Sequence, residues 1–376
     1  VEGPAAMTLL YSDVEEELRA AVRALLADRC PPSAMAARAG EEPLYDAGVW
    51  KALACDIGVA GLLVPEELGG AGASPREAAV VLEELGRGVA PVPFLTSSVM
   101  ATKALLAAGT DAATELLGPL AEGRTTAALA VSFAASPYAA APDTVTASPR
   151  AAARDTVTAE DGTLTGRVTA VAGAEAADVF LVPASGALYA AEATGVQPSV
   201  SLDVTRPVAV VTFDAAAATL VAPDLGPLRA ALELGAGLLA SEQLGVAEWC
   251  LATTVGYVTE RRQFARPVGS FQAIKHRLAD LWLAIVQARA AARNAADAAA
   301  TGADTATAAA VAQAWCGTVA VRAAEECLQL HGGIGMTWEH PLHLFLKRAK
   351  AGEIALGTPG DHRDALTGAA GLPAPA

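Results

Sequence analysis

Arg261-Arg262-Gln263-Phe264-Ala265-Arg266-Pro267-Val268-Gly269-Ser270-Phe271-Gln272 is the stretch from which the fold is read. Upstream of it, LRAALELGAGLLASEQLGVAEWCLATTVGYVTE carries apolar residues through many helical turns without a proline. Downstream, AIKHRLADLWLAIVQARAAARNAADAAA does the same. The Arg-, Pro- and Gly-bearing segment is therefore a turn between two long helices. DTATAAAVAQAWCGTVAVRAAEECLQLH and HPLHLFLKRAKAGEIAL supply two more. Helices of this length need neighbours on more than one side, which predicts a four-helix bundle that also meets another subunit. The turn carries chemistry too. Two arginines at a helix end beside an aromatic make an anion clamp, because guanidinium binds phosphate bidentately and an aromatic lies against a nucleotide ring. A solvated helix terminus complementing the dipole is the alternative.

Further out, short β-branched runs (TAALAVSF, DTVTAE, GTLTGRVTAV, DVFLVPA, RPVAVVTFD) with period-two alternation and an Asp161-Gly162 turn predict an antiparallel sheet or small barrel. The first third is helical. Val14, Leu18, Val22, Leu25 and Leu26 recur after a Ser12-Asp13 start, a second helix runs through Trp50, Leu53 and Ile57, and Ser74-Pro75 opens another. The expected domains are 7–117, all-α; 118–225, β; and 226–366, the helical bundle.

Composition removes several classes. The 376 residues are 53% apolar but only 5% aromatic and 18% charged, with a net charge of −15. An acidic surface without a basic stripe disfavours nucleic acid. Every apolar run is interrupted before the ~18–20 residues a membrane span requires. The opening VEGPAAM has no signal-peptide pattern and reads as an expression scar, so a cytoplasmic location is expected. Cys30, Cys55, Cys250, Cys316 and Cys327 show neither a disulfide framework nor zinc spacing. His340 and His343 lack a third ligand in range, so a helix-start role is expected rather than a metal site, and Lys347, Arg348 and Lys350 read as a charged helix face.

A second segment, Gln329-Leu330-His331-Gly332-Gly333-Ile334-Gly335-Met336-Thr337-Trp338, places three glycines directly after a helix. There backbone can approach a bulky ligand and free N–H groups suit a pyrophosphate. It follows a helix and is not GxGxxG, so it is no Rossmann fingerprint. Together, ERRQFxRPVGSFQxIKHRLAD and QLHGGIGMTWEHPLH resemble the acyl-CoA dehydrogenase family. VPEELGGAG in the first third, LTGRVTAVAGAEAADVFLVPA in the middle and the α, β, α order extend the resemblance over almost the whole chain.

The resemblance implies an α+β fold: an N-terminal helical domain, a middle antiparallel β-barrel and a C-terminal four-helix bundle. It implies FAD at a subunit interface, with Arg261, Phe264, Gln272, Gln329, Gly332 and Gly333 gripping its ADP half. It also implies α,β-dehydrogenation of an acyl-CoA or other acyl thioester by a carboxylate base and the flavin, with an electron-transferring flavoprotein as the expected acceptor.

The sequence departs from this pattern at the chemistry. The usual base position holds Leu356, followed by Gly357, and the alternative position on the first long C-terminal helix is Gly235. Glu233 and Glu242 are nearby on that helix as candidate bases, Glu242 about two turns on from Gly235 on the same face; Glu353, one turn before Leu356, is a weaker alternative. Ser132-Phe133 replaces a flavin-contacting Thr-Glu pair, and Ala170-Val171-Ala172 replaces an aromatic and hydroxyl-bearing stretch. Half of a composite site is kept. EHPLH and the ALG ending resemble the non-base-bearing chain of α2β2 enzymes built from two unlike subunits. The leading expectation is thus a subunit that contributes the ADP half to an unlike partner. The alternatives are a homo-oligomeric flavoenzyme with a displaced base, or a non-redox thioester- or flavin-binding scaffold.

Overall fold

The computed structural model describes residues 9–39, 45–138 and 156–371; the opening VEGPAAM and most of the GLPAPA tail lie outside them. Helix α1 (Asp13–Arg29) begins with a capping box. The Ser12 hydroxyl accepts from the Glu15 N–H, and the Glu15 carboxylate accepts from the Ser12 N–H. Helices α2 (Pro32–Arg38) and α3 (Ala47–Lys51) follow. Ser74 and Glu77 repeat the box at α4 (Pro75–Gly88), with Pro75 in the first turn, where an amide hydrogen has no intrahelical partner to lose. The single helix expected through Trp50, Leu53 and Ile57 is α3 continued by π-helical turns over Ala52–Ile57, stopped at Gly58 with φ 83°. A second π-helical stretch, Phe94–Ala101, is buried along its whole length and leads into α5 (Thr102–Ala108) and α6 (Asp111–Ala121).

The middle strands are β1 (Ala127–Leu129), β2 (Val157–Glu160), β3 (Thr163–Ala172), β4 (Val179–Ala184), β5 (Ala187–Ala191), β6 (Gly195–Pro198) and β7 (Val208–Ala222). Their order is β1-β4-β5-β7-β3-β2, with β6 also on β7. Asp161-Gly162 turns β2 into β3 with both residues at positive φ, as a two-residue hairpin requires. The sheet corrects the expected antiparallel barrel: β1 runs parallel to β4, and among the described residues the sheet is open between β1 and β2. Alternation marks a strand but carries no information about its direction. Because β2 and β3 intervene between β1 and β4, no hairpin forces that pair to be antiparallel.

The C-terminal helices are α7 (Gly226–Glu260), α8 (Gln272–Thr301), α9 (Thr305–His331), α10 (Leu342–Ile354) and α11 (Pro359–Ala369). His340 does serve the start of α10, its Nδ1 accepting from the Leu342 N–H at 3.2 Å. α11 adds a helix to the four expected. Gly357, with φ 97°, breaks the chain after α10, and Thr358 with Asp361 caps the restart. Ala faces on α8 and α9, including Ala288, Ala292, Ala312 and Ala320, are fully buried and let the helices approach closely. No helix among the described residues is long and apolar enough to cross a membrane.

Helix α7 is buried over most of its length and joins the two helical regions into one core. Its contact with α4 is backbone to backbone. A Cβ on Gly86 would lie 2.1 Å from the Glu242 carbonyl oxygen, and one on Gly245 would lie 1.9 Å from that of Glu83. No side chain fits either place. Gly245→Ala is expected to lower stability by about 3 kcal/mol through overpacking at this crossing. Gly256→Ala, where the same helix faces open space, is expected to raise it by ~1 kcal/mol. Urea unfolding of the two variants checks the pair.

Candidate active site

Two ends of the C-terminal bundle meet where the sequence motifs lie. Tyr257, one turn before the end of α7, stacks on His331, the last residue of α9, with ring centroids 4.4 Å apart. His331 Nδ1 lies 2.8 Å from the Cys327 carbonyl oxygen, so it carries the proton and donates it. This stack brings the Arg261 and Gly332 segments to one end of the bundle. Arg261 leaves α7 in extended conformation, and Arg261, Phe264, Gln272, Gln329, Gly332 and Gly333 are all exposed there. Gly332 has φ 62° and ψ −138°, a conformation closed to L side chains, and its N–H caps α9 on the Gln329 carbonyl. Beside Gly332 and Gly333, no atom comes within 4 Å of where a side chain would begin. Open backbone, two guanidinium groups and an exposed aromatic ring suit an adenosine diphosphate.

Between these segments, β8 (Arg262–Gln263) and β9 (Arg266–Pro267) form a hairpin whose two loop residues, Phe264 and Ala265, both have positive φ, 55° and 63°. Each L residue in that region costs ~1–2 kcal/mol.

Toward the start of α7, around Gly235 and Leu356, there is little room. Leu356, Met100, Phe133, Ala172, Thr96, Leu129 and Val131 enclose about 10 Å³, no more than one water's room. The Phe133 N–H donates to the Ala170 carbonyl and the Leu356 N–H to the Phe133 carbonyl, both at 2.8 Å, so the three positions that depart from the family pattern are bonded to one another. A Cβ on Gly235 would stand 2.8 Å from Met100 Cγ and 3.2 Å from Leu356 Cδ1, so a larger residue there would have to displace the Met100 side chain. Leu356 itself sits at φ 54°. Its carbonyl accepts from His362 Nε2 at 3.1 Å, which leaves His362 Nδ1 to accept from the Tyr138 hydroxyl at 3.3 Å. His362 is wholly buried, and burial lowers its pKa despite the bond to Leu356.

Glu242 lies in a buried ion cluster. Arg206 pairs with its Oε2, and Arg348 Nη1 lies 3.1 Å from its Oε1. Arg348 Nε also meets Asp203 at 2.6 Å, and Arg348 Nη2 donates to the Thr205 hydroxyl at 2.7 Å. Burial alone would raise the Glu242 pKa, but the two arginines outweigh it and hold the carboxyl below its usual range. Arg348 is 2% exposed, which corrects the reading of Lys347, Arg348 and Lys350 as one solvated face. Lys347 covers Trp338, and Lys350 pairs with Glu353.

Sequence reasoning missed Met100, Tyr138, His362 and the Asp203-Thr205-Arg206 loop. Only the last left a local trace: an Asp two residues before a Thr, whose N–H the Asp203 carboxylate accepts at 2.9 Å.

The model for the acyl-CoA dehydrogenase C-terminal domain matches residues 227–369, and that for the N-terminal domain matches 12–124. The acyl-CoA dehydrogenase IpdE2 of Mycobacterium tuberculosis is 36% identical over 342 residues, 91% of this chain and 92% of its own. Among solved structures, the ChsE4-ChsE5 complex of M. tuberculosis is 27% identical with a TM-score of 0.82, covering 98% of this chain and 100% of that one. A variant of the Tcur3481-Tcur3483 steroid ACAD is 28% identical, also at 0.82, covering 97% and 99%.

Two measurements bear on the buried groups. Glu242→Gln is expected to destabilise the fold by ~3 kcal/mol, because it leaves Arg206 and Arg348 sharing a neutral group in the interior; denaturant unfolding reads this. His362 protonates less readily folded than unfolded, so its contribution is intact above its ordinary value of 6.5 and is lost as pH falls below it. His362→Gln is expected to flatten the stability–pH curve between about pH 5 and 7, as followed by thermal unfolding across that range.

Proposed function

Because the chain belongs to the acyl-CoA dehydrogenase family of FAD-dependent oxidoreductases, we propose that it is a non-base-bearing subunit that lends the ADP half of the flavin site to an unlike partner of the same fold. The observation that carries this reading is the contrast between its two half-sites. Where the family's base and acyl chain belong, Leu356, Met100 and Phe133 leave about 10 Å³. At the far end of the bundle, the gripping residues stand exposed around open backbone. FAD, when bound, supplies the hydride-accepting ring for dehydrogenation of an acyl thioester.

This chain's own residues bind and orient. Arg261 pairs with the pyrophosphate through charge-assisted hydrogen bonds. Phe264 lies against the adenine, and Gln272, Gln329 and the Gly332-Gly333 backbone complete the grip. No residue here removes the α-proton. Glu242 has both oxygens committed to arginines and a lowered pKa, so it serves as the centre of an ion cluster and not as the base. The base then comes from the partner. Two solved relatives bear paired names, ChsE4-ChsE5 and Tcur3481-Tcur3483, which supports an unlike pairing. The substrate is an acyl-CoA, and an electron-transferring flavoprotein is the proposed electron acceptor.

The purified chain is expected to bind ADP and FAD but not FMN, and to show no acyl-CoA oxidation. Co-expression with an unlike acyl-CoA dehydrogenase chain encoded nearby is expected to give yellow, active protein. A yellow and active single chain overturns the reading. In the active pair, Arg261→Gln on this chain is expected to weaken FAD binding by ~10-fold or more, the worth of a charge-assisted hydrogen bond, measured by flavin release on dilution.

A further inference from the structure

The hairpin at the ADP end is made from residues that do not favour it. Gln263 pairs with Arg266, so the loop is Phe264-Ala265 alone, and both lie in the left-handed region where Asn-Gly is usual. Something nearby must hold it. Arg266 is not directed as a free cation: its guanidinium carbon lies 3.8 Å from the centroid of the Phe271 ring. The Phe271 ring in turn meets the Phe264 ring edge to face at 6.1 Å. Phe264 is 86% exposed, so no core packing fixes it, and this ladder is its aromatic support. Beyond β9, the Val268 N–H donates to the Arg261 carbonyl at 2.7 Å and the Phe271 N–H to the Val268 carbonyl at 3.2 Å, carrying the chain directly to Gln272. One short unit thus joins three gripping residues, with the Arg266–Phe271 stack at its centre.

We propose that Arg266 is a positioning residue for the ADP half of FAD: by stacking on Phe271 it holds the strained Phe264-Ala265 loop in place and presents Phe264 to the adenine, without itself touching the ligand. The inference rests on the ADP-half reading above. Its test uses the full chain, titrated with ADP by calorimetry, alongside hydrogen exchange of the amides from 262 to 268.

Arg266→Met, which keeps the aliphatic stem, and Phe271→Leu, which keeps the arginine charge, are each expected to weaken ADP binding about fivefold and to speed amide exchange in the hairpin. Adding Ala265→Gly to Arg266→Met relieves the loop's strain and is expected to restore both readouts. An Arg266 that binds phosphate directly gives a loss that Ala265→Gly does not restore and that Phe271→Leu does not reproduce, which overturns the proposal. Unchanged affinity in both single variants overturns it as well. A wild-type chain that takes up no ADP overturns the ADP-half reading and this inference with it, whereas wild-type binding with unaffected variants overturns this inference alone.

Discussion

One carboxylate holds three parts of the chain in register. Glu242 on α7 is shared between Arg206, from the loop entering β7, and Arg348 on α10, with Asp203 neutralising the second charge. Four ionic groups out of water are tolerable only because each charge faces an opposite one at bonding distance. The same stretch of α7 lies against α4 through Gly86 and Gly245, so the carboxylate also has a fixed depth. Sheet, first helical region and last helices therefore converge on a point near the middle of α7. Shifting any of them would strand a charge in the interior.

That convergence also fixes the surroundings of Leu356. Around Leu356 the backbone stays fully engaged: the Leu356 N–H and carbonyl are both bonded, and Phe133 links Ala170 to Leu356. The left-handed Leu356 is held by these bonds, by the turn at Gly357 and by the burial of its side chain in the core. Side chains there are free to fill space, and Met100 from the buried π-helical stretch does so against Gly235. The exposed end is arranged differently. Its residues stand exposed, and Phe264 is held by neighbouring rings and not by the core.

Much of this was legible in the sequence because it rests on local rules. Capping boxes at Ser12 and Ser74, the Asp161-Gly162 turn and the long proline-free helices each follow from residues within a turn of one another. The segments around Arg261 and Gly332 stood out through their Arg and Gly content at helix ends, and the structure brings both to one end of the bundle. Other features depend on contacts between distant segments. The direction of β1, the open sheet, the burial of Arg348 and the intrusion of Met100 leave no periodic signal. Lys347, Arg348 and Lys350 look alike in sequence; only the neighbours of α10 decide that the middle one turns inward. The π-helical turns after Lys51 are a smaller case, because their apolar spacing differs from that of an ordinary helix by less than a short segment can reveal.

The alanine faces that let α7, α8 and α9 pack closely also set how the molecule responds to heat. An alanine surrenders no rotamer freedom when it is buried. It also removes less hydrocarbon from water than a leucine would, and the heat capacity of unfolding scales with that area. A bundle joined through Ala288, Ala292, Ala312 and Ala320 therefore has a flatter stability curve, residue for residue, than one joined through leucines, and its folding free energy changes less between cold and warm conditions.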